Sequence, residues 1–286
     1  MTQLRLLPGL SLALAVLLLL PASGVAQQRP LVTEDPETIG GGQVLLEGGF
    51  EYARDAEFPA SGLRGHLLRL PTFGVSVGIS SIAELQFDGG LRDRLAITDR
   101  STAPLSGMLA VAGDRATSVE DVVVGTKIRV ASETARRPAF GVRFATKLPN
   151  AGNEAGLGLD TTDFFASILA GKTVQSVRVV ANVGVGILGD PTRGDRQNDV
   201  LTYGVSFARA LTSHAEVVGE VNGRASTRNG TPPPGTESRS ALRLGGRYTL
   251  AGWRADGGLL IGLTGAEPTI GVGGGFTYVF HAFRIP

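Results

Sequence analysis

Two glycine-spaced motifs invite a catalytic reading. Gly184-Val185-Gly186-Ile187-Leu188-Gly189 matches G-x-G-x-x-G. In that pattern, glycines admit a pyrophosphate to the backbone and a helix N-terminus receives its charge. The chemistry needs a helix opening on the last glycine, but Asp190-Pro191-Thr192-Arg193-Gly194 is a polar turn without helical period. Gly74-Val75-Ser76-Val77-Gly78 matches G-x-S-x-G, in which a sharp strand-to-helix turn lifts a nucleophilic serine. Here Ser76 alternates with Val75 and Val77 in an extended run, and no helical segment follows. The chain has three histidines, His66, His214 and His281, and no cysteine. That excludes a thiolate metal site, a haem-attachment motif and a cysteine nucleophile. The carboxylates come with cations in steps of four: Glu84 and Asp88 with Arg92, and Glu216 and Glu220 with Arg224. Mixed signs on one face read as a charge-neutralised surface rather than an acid–base pair. No catalytic residue, no metal-ligand set and no cofactor site is expected.

The elements carrying these residues have a period of two, not 3.6. Val177, Val179, Ala181, Val183, Val185 and Ile187 form a wholly apolar face, opposite Arg178, Asn182, Gly184 and Gly186. The same alternation predicts about twelve strands, over 42–54, 65–79, 82–96, 118–132, 139–149, 161–174, 176–189, 199–211, 214–227, 238–251, 253–265 and 269–281. Globular strands usually run about 5–6 residues, whereas a tilted membrane strand needs about 9–11 plus its ends. Short turns at 80–81, 134–138, 175, 212–213 and 251–252 alternate with longer polar loops at 55–64, 97–117, 150–160, 190–198 and 228–237. This asymmetry is that of an outer-membrane barrel, with short periplasmic turns and long external loops. The expected fold is therefore all-β: a transmembrane antiparallel up-and-down barrel. Phe50, Tyr52, Phe73, Tyr203, Phe207, Trp253, Tyr278 and Phe280 are candidates for its aromatic girdles. Within loop 97–117, the apolar island 104–111 suits an inward constriction, a cap on the outer mouth or a short extra strand.

Composition agrees with this reading. Glycine is 41 of 286 residues and charged residues are 19%, against usual shares of about 7% and 25%. Glycine on the polar face of paired strands leaves room in a lumen, and a lipid-facing surface must give up its charge. A net charge of +1 provides no field for nucleic acid, and none is expected as a partner. At the N-terminus, Arg5, the apolar run 6–20 and the small residues before Gln27 form a secretory signal, with cleavage expected after Ala26. The predicted organisation is a leader at 1–26, a periplasmic N-terminal segment at 27–41 and an outer-membrane barrel at 42–286.

The inward charges then become candidate lumen residues. They are Glu47, Glu51, Glu84, Asp88, Lys127, Arg129, Arg143, Lys147, Arg178, Glu216, Glu220, Arg224, Arg243, Arg247, Arg254 and Asp256. Twelve strands enclose less than the 16–18 of open porins, so a narrow channel for a small molecule is expected. Its mixed charge argues against strong ion selectivity. The partners implied are outer-membrane lipid, a small-molecule solute and the barrel-assembly machinery during insertion. Two rivals stand beside the channel. One is an outer-membrane lipid-modifying enzyme, which would need a Ser, such as Ser61 of the preceding loop, or an Asp within hydrogen-bond reach of His66 at the outer rim. The other is a closed structural barrel packed by arginine–carboxylate pairs.

Three stretches resemble a known family. Leu31-Val32-Thr33-Glu34-Asp35-Pro36-Glu37-Thr38-Ile39-Gly40 leads straight into the first strand. Lys147-Leu148-Pro149-Asn150 is followed by Gly156-Leu157-Gly158-Leu159-Asp160 and by Thr162-Asp163. This pattern, with the strand–turn spacing over 31–286, resembles the outer-membrane proteins of phenol-degradation pathways, a family distantly similar to fatty-acid and toluene channels. The resemblance implies a transmembrane barrel passing aromatic or other hydrophobic compounds, with no catalytic residues to carry over. The long plugging domain of fatty-acid channels has no counterpart, since only about 15 residues separate Gln27 from the first strand. The C-terminal run Phe276-Thr277-Tyr278-Val279-Phe280 resembles a barrel-terminal strand, but the chain ends on Pro286.

Overall fold

The computed structural model describes residues 29–284. The leader predicted at 1–26 lies outside them. The strands are β1 (Gln43–Phe58), β2 (Leu63–Gly78), β3 (Ala83–Gly90), β4 (Asp93–Arg100), β5 (Arg115–Ser118), β6 (Val123–Ala131) and β7 (Ala139–Lys147). They continue with β8 (Asp163–Val174), β9 (Val177–Gly189), β10 (Gln197–Ala210), β11 (Ala215–Ser226), β12 (Arg239–Leu250), β13 (Trp253–Gly262) and β14 (Ile270–His281). All pairings are antiparallel. β1 pairs with both β2 and β14, closing a twelve-stranded barrel from β1, β2, β3 and β6–β14. Closure removes the sheet edge, so strand amides are satisfied within the wall.

One predicted strand is two. The run 82–96 breaks at Leu91-Arg92, so β3 pairs with the lower half of β2 and β4 with its upper half. The face reverses there: Glu84 and Gln86 are buried on the inside of β3, whereas Asp93 and Leu95 are the inward residues of β4. β2 makes the matching correction at a bulge, because Gly49 pairs with Thr72 while Glu51 pairs with Arg69. Strand 118–132 is likewise interrupted, since β5 pairs with β4 and β6 starts at Val123 beside Asp88. The added hairpin carries the apolar island. Leu105 is buried, 106–108 is a single 3-10 turn, and Leu109 and Val111 pack on a cluster of Ala53, Ala56, Leu63, Leu67, Leu95 and Ala116. The island thus packs through Leu105, Leu109 and Val111 at the long-loop end, while Met108 stays exposed.

The other face of the wall is apolar and open. Phe144, Phe164, Ile168, Val183, Val185, Val205, Tyr248 and Trp253 are each at least half exposed. A water-soluble chain rarely shows a contiguous apolar surface beyond a few hundred Å², so this band fits hydrocarbon. At the short-turn end Trp253 stacks on Tyr278 at 4.4 Å, Tyr278 on Phe280 at 5.6 Å and His214 on Tyr248 at 6.1 Å. Amphipathic rings gathered at one level are an interfacial girdle.

Candidate functional site

The stretch before β1, from Arg29, runs through the lumen. It circles the inner wall from β14 back to β2. Arg29 donates to the Gly274 carbonyl at 3.0 Å and pairs with Asp256 of β13, and Arg247 of β12 donates to the Arg29 carbonyl at 2.7 Å. The N–H groups of Val32 and Thr33 both donate to the Glu220 carboxylate of β11, each at 2.8 Å. Glu34 exchanges backbone hydrogen bonds with the Asn182 amide of β9 at 2.6 and 2.8 Å. Asp35 pairs with Arg178 at 2.7 Å and Glu37 with Arg129 at 2.6 Å. The Ile39 N–H donates to Glu84 of β3 at 2.7 Å. Side chains of the wall thus satisfy a backbone that has no strand partner of its own.

Glycine on the inner face makes room for this segment. At Gly204, a Cβ would lie 2.6 Å from the Thr33 hydroxyl; at Gly141, 3.3 Å from Pro36. Around Glu34 is a buried ion cluster: Lys127, fully buried, lies 3.1 Å from Glu84 and 3.4 Å from Glu34, and Arg143 reaches Glu34 at 3.0 Å.

Above the segment two cavities are stacked. The inner one, about 600 Å³, is bounded by residues 29–34 together with Glu47, Asp88, Arg143, Phe165 and Leu260. The outer one, about 380 Å³, opens among the long loops and is bounded by Phe58, Lys147, Leu157, Arg224 and Arg239. Glu51, Arg69, Glu120, Arg243 and Phe165 belong to both. These shared charges form a chain. Arg69 bridges Asp93 at 3.3 Å and Glu51 at 3.0 Å, and Arg243 reaches Glu51 and Glu220, each at 3.5 Å. Glu220 in turn holds the N-terminal segment, so the ionic shelf between the cavities is tied to it.

The sixteen candidate residues fall into three groups. Glu47, Glu51, Asp88, Arg143 and Arg243 border the inner cavity, and Lys147 and Arg224 the outer one. Glu84, Lys127, Arg129, Arg178, Glu220, Arg247 and Asp256 hold the N-terminal segment or its ion pairs. Glu216 pairs with Arg247 at 3.8 Å, and Arg254 donates to the Thr249 hydroxyl at 3.1 Å, near the short-turn end. Sequence reasoning missed Arg69, Asp93, Glu120 and Arg239 of the cavity walls. It also missed the lumenal partners Arg29, Glu34, Asp35 and Glu37, because that segment has no period to read. Arg239 had a signal, since it shares the parity of Ala241 and Arg243.

The catalytic-looking motifs remain in regular strand. Gly184–Gly189 lies within β9, and Ser76 sits in β2 between Leu45 and Gln86. His66 is on the face opposite the buried Leu67, and its Nδ1 has no hydrogen-bond partner. Ser61 donates instead to the Gly156 carbonyl at 2.7 Å.

No family model matches the chain, and no curated protein does. Among solved structures, the fold is similar to the COG4313 outer membrane channel from Pseudomonas putida F1. That match has 12% identity and a TM-score of 0.60, and covers 86% of this chain and 98% of the other. The translocator domain of the autotransporter NalP from Neisseria meningitidis aligns at 11% identity and TM-score 0.48, covering 84% of this chain and 89% of its own. The Pseudomonas putida toluene transporter TodX aligns at 10% identity and TM-score 0.42, over 87% and 92%. The twelve-stranded antiparallel barrel, with its apolar exterior and charged interior, is an outer-membrane type of fold.

Proposed function

We propose that the chain is a narrow, non-enzymatic outer-membrane channel for small molecules with apolar bodies, held shut at rest by residues 29–39. The stacked cavities carry this reading: they run from the long loops down to the N-terminal segment and meet at Glu51, Arg69, Glu120, Arg243 and Phe165. Their walls mix arginines and carboxylates with Phe165, Leu260 and Val123, which suits an amphipathic solute better than a hydrated ion. The resemblance to phenol-degradation outer-membrane proteins supports aromatic compounds as the cargo class. A second reading is favoured by the buried cluster of Lys127, Glu34, Glu84 and Arg143, which is the packing a closed structural barrel would use.

Planar-bilayer recordings and liposome uptake separate the two. The intact chain is expected to conduct weakly, and a variant lacking 29–38 to conduct several-fold more. A barrel that neither conducts nor admits small aromatic solutes, with or without the segment, overturns the channel and leaves the structural reading.

A further inference from the structure

The inner faces of β11 and β12 carry three charged rungs, set by the strand register. Glu216 faces Arg247, Glu220 faces Arg243 and Arg224 faces Arg239. The two lower rungs pair opposite charges, and the top one, at the outer cavity, pairs two arginines. Like charges directly across a sheet are destabilising, and the other cations that border the two cavities are matched. Arg69 has Glu51 and Asp93, Lys147 has Asp121 and Asp163, and Arg243 has Glu51 and Glu220.

Neither Arg224 nor Arg239 has a carboxylate within 4.0 Å among the described residues. The nearby Glu237 does not border the cavity, and one of its oxygens accepts the Gly235 N–H at 2.9 Å. Glu267 borders the cavity without pairing to either arginine. Arg224 is held in place by the carbonyls of Glu237 at 2.9 Å and Gly235 at 2.6 Å, which leaves its Nη1 free. The Arg239 Nε is buried and has no hydrogen-bond partner. Facing this doublet are apolar walls, including Phe58, Leu157, Leu159, Phe165 and Leu188.

We propose that Arg224 and Arg239 form a binding site for the carboxylate of a small amphipathic acid, whose apolar body lies against Phe165 and the Leu157–Leu159 loop. The two guanidiniums offer N–H donors in a partly dehydrated pocket, where charge-assisted hydrogen bonds are strongest. The bound anion supplies the countercharge that the register omits at this rung. The site deepens the channel reading by naming its cargo: an organic acid, aromatic or aliphatic, captured at the outer mouth.

Calorimetric titration of the full-length barrel in a non-ionic detergent tests this with benzoate, octanoate and the uncharged benzyl alcohol. At least one carboxylate is expected to bind more tightly than benzyl alcohol, and the stronger of the two identifies the apolar body. Arg239→Gln is expected to weaken the carboxylate about tenfold or more, consistent with loss of a hydrogen bond to a charged group, and to leave benzyl alcohol unchanged. Exposed Arg209 at the short-turn end serves as control: Arg209→Gln should leave all three unchanged. Without ligand, Arg239→Gln should raise the temperature at which the folded band is lost on gels, because like-charge repulsion is relieved. Carboxylates binding no better than benzyl alcohol, an Arg239→Gln variant with unaltered affinity, or a lowered melting temperature each overturn the site. Conductance reports separately: a barrel that binds benzoate but never conducts keeps the site and loses the channel, and a conducting barrel indifferent to carboxylates does the reverse.

Discussion

At the residue scale, a few buried charges decide how firmly the lumen is closed. Lys127 is fully buried between Glu84 and Glu34, so its removal takes the cation from the buried Glu84 and one of the cations from Glu34. Lys127→Met should cost roughly 3–5 kcal/mol, the usual effect of breaking a buried pair from one side. The expected readout is a lower temperature for loss of the folded band on semi-native gels; an unchanged transition would show that the cluster is hydrated. Glu220 tests the segment more directly, because its carboxylate accepts the Val32 and Thr33 N–H groups. Hydrogen bonds to a charged group are worth about 1.5–3 kcal/mol each. Glu220→Ala should therefore raise single-channel open probability by about tenfold or more, measured in planar bilayers. Strand parity made the lysine and Glu220 legible as inward residues. Glu34 was not, because it lies 93 positions from Lys127 in a stretch without alternation.

At the element scale, alternation predicted the strands well wherever a face stayed constant, and failed where the face changed. At Leu91-Arg92 the inward parity switches from even to odd, and a single window over 82–96 averages the two. The glycines of the inner face were legible as lumen space, but not as space already filled. Gly204 tests that point: the atoms nearest its added Cβ all belong to Thr33. Gly204→Val should leave β10 paired and displace the segment, seen as faster protease cleavage near residue 33 with unchanged heat-modifiable migration. Cleavage at the parental rate would show that the segment does not seat there. The turn between β6 and β7 offers a pH test. Burial of Glu133 opposes its charge, but the Thr173 N–H, Lys172 and Arg178 prevail and hold its pKa below the ordinary 4.5. A depressed carboxyl pKa stabilises above the unfolded value, and the contribution is lost as pH falls through the folded one. Proteolysis of turn 132–138 should thus accelerate only below pH 4.5. Glu133→Gln should show the faster rate already at neutral pH.

At the scale of the whole molecule, the barrel wall and its contents are held by different forces. The wall closes through backbone hydrogen bonds between β1 and its two neighbours, β2 and β14, and its apolar band needs only hydrocarbon outside. The N-terminal segment is held by side chains of the wall: carboxylates on its N–H groups and arginines on its acids. None of its described residues belongs to a strand. Removing residues 29–38 should therefore leave closure intact and flood the lower lumen, where water replaces Glu34, Asp35 and Glu37 as partner to Lys127, Arg129 and Arg178. Hydration moderates the cost, since these cations then face solvent instead of a vacant interior. The shortened barrel is expected to keep its heat-modifiable migration, with a melting temperature several degrees lower and a larger conductance. A variant that no longer migrates as a folded barrel would show that the segment is a structural core of the protein, and the closed-barrel reading would then take precedence over the channel.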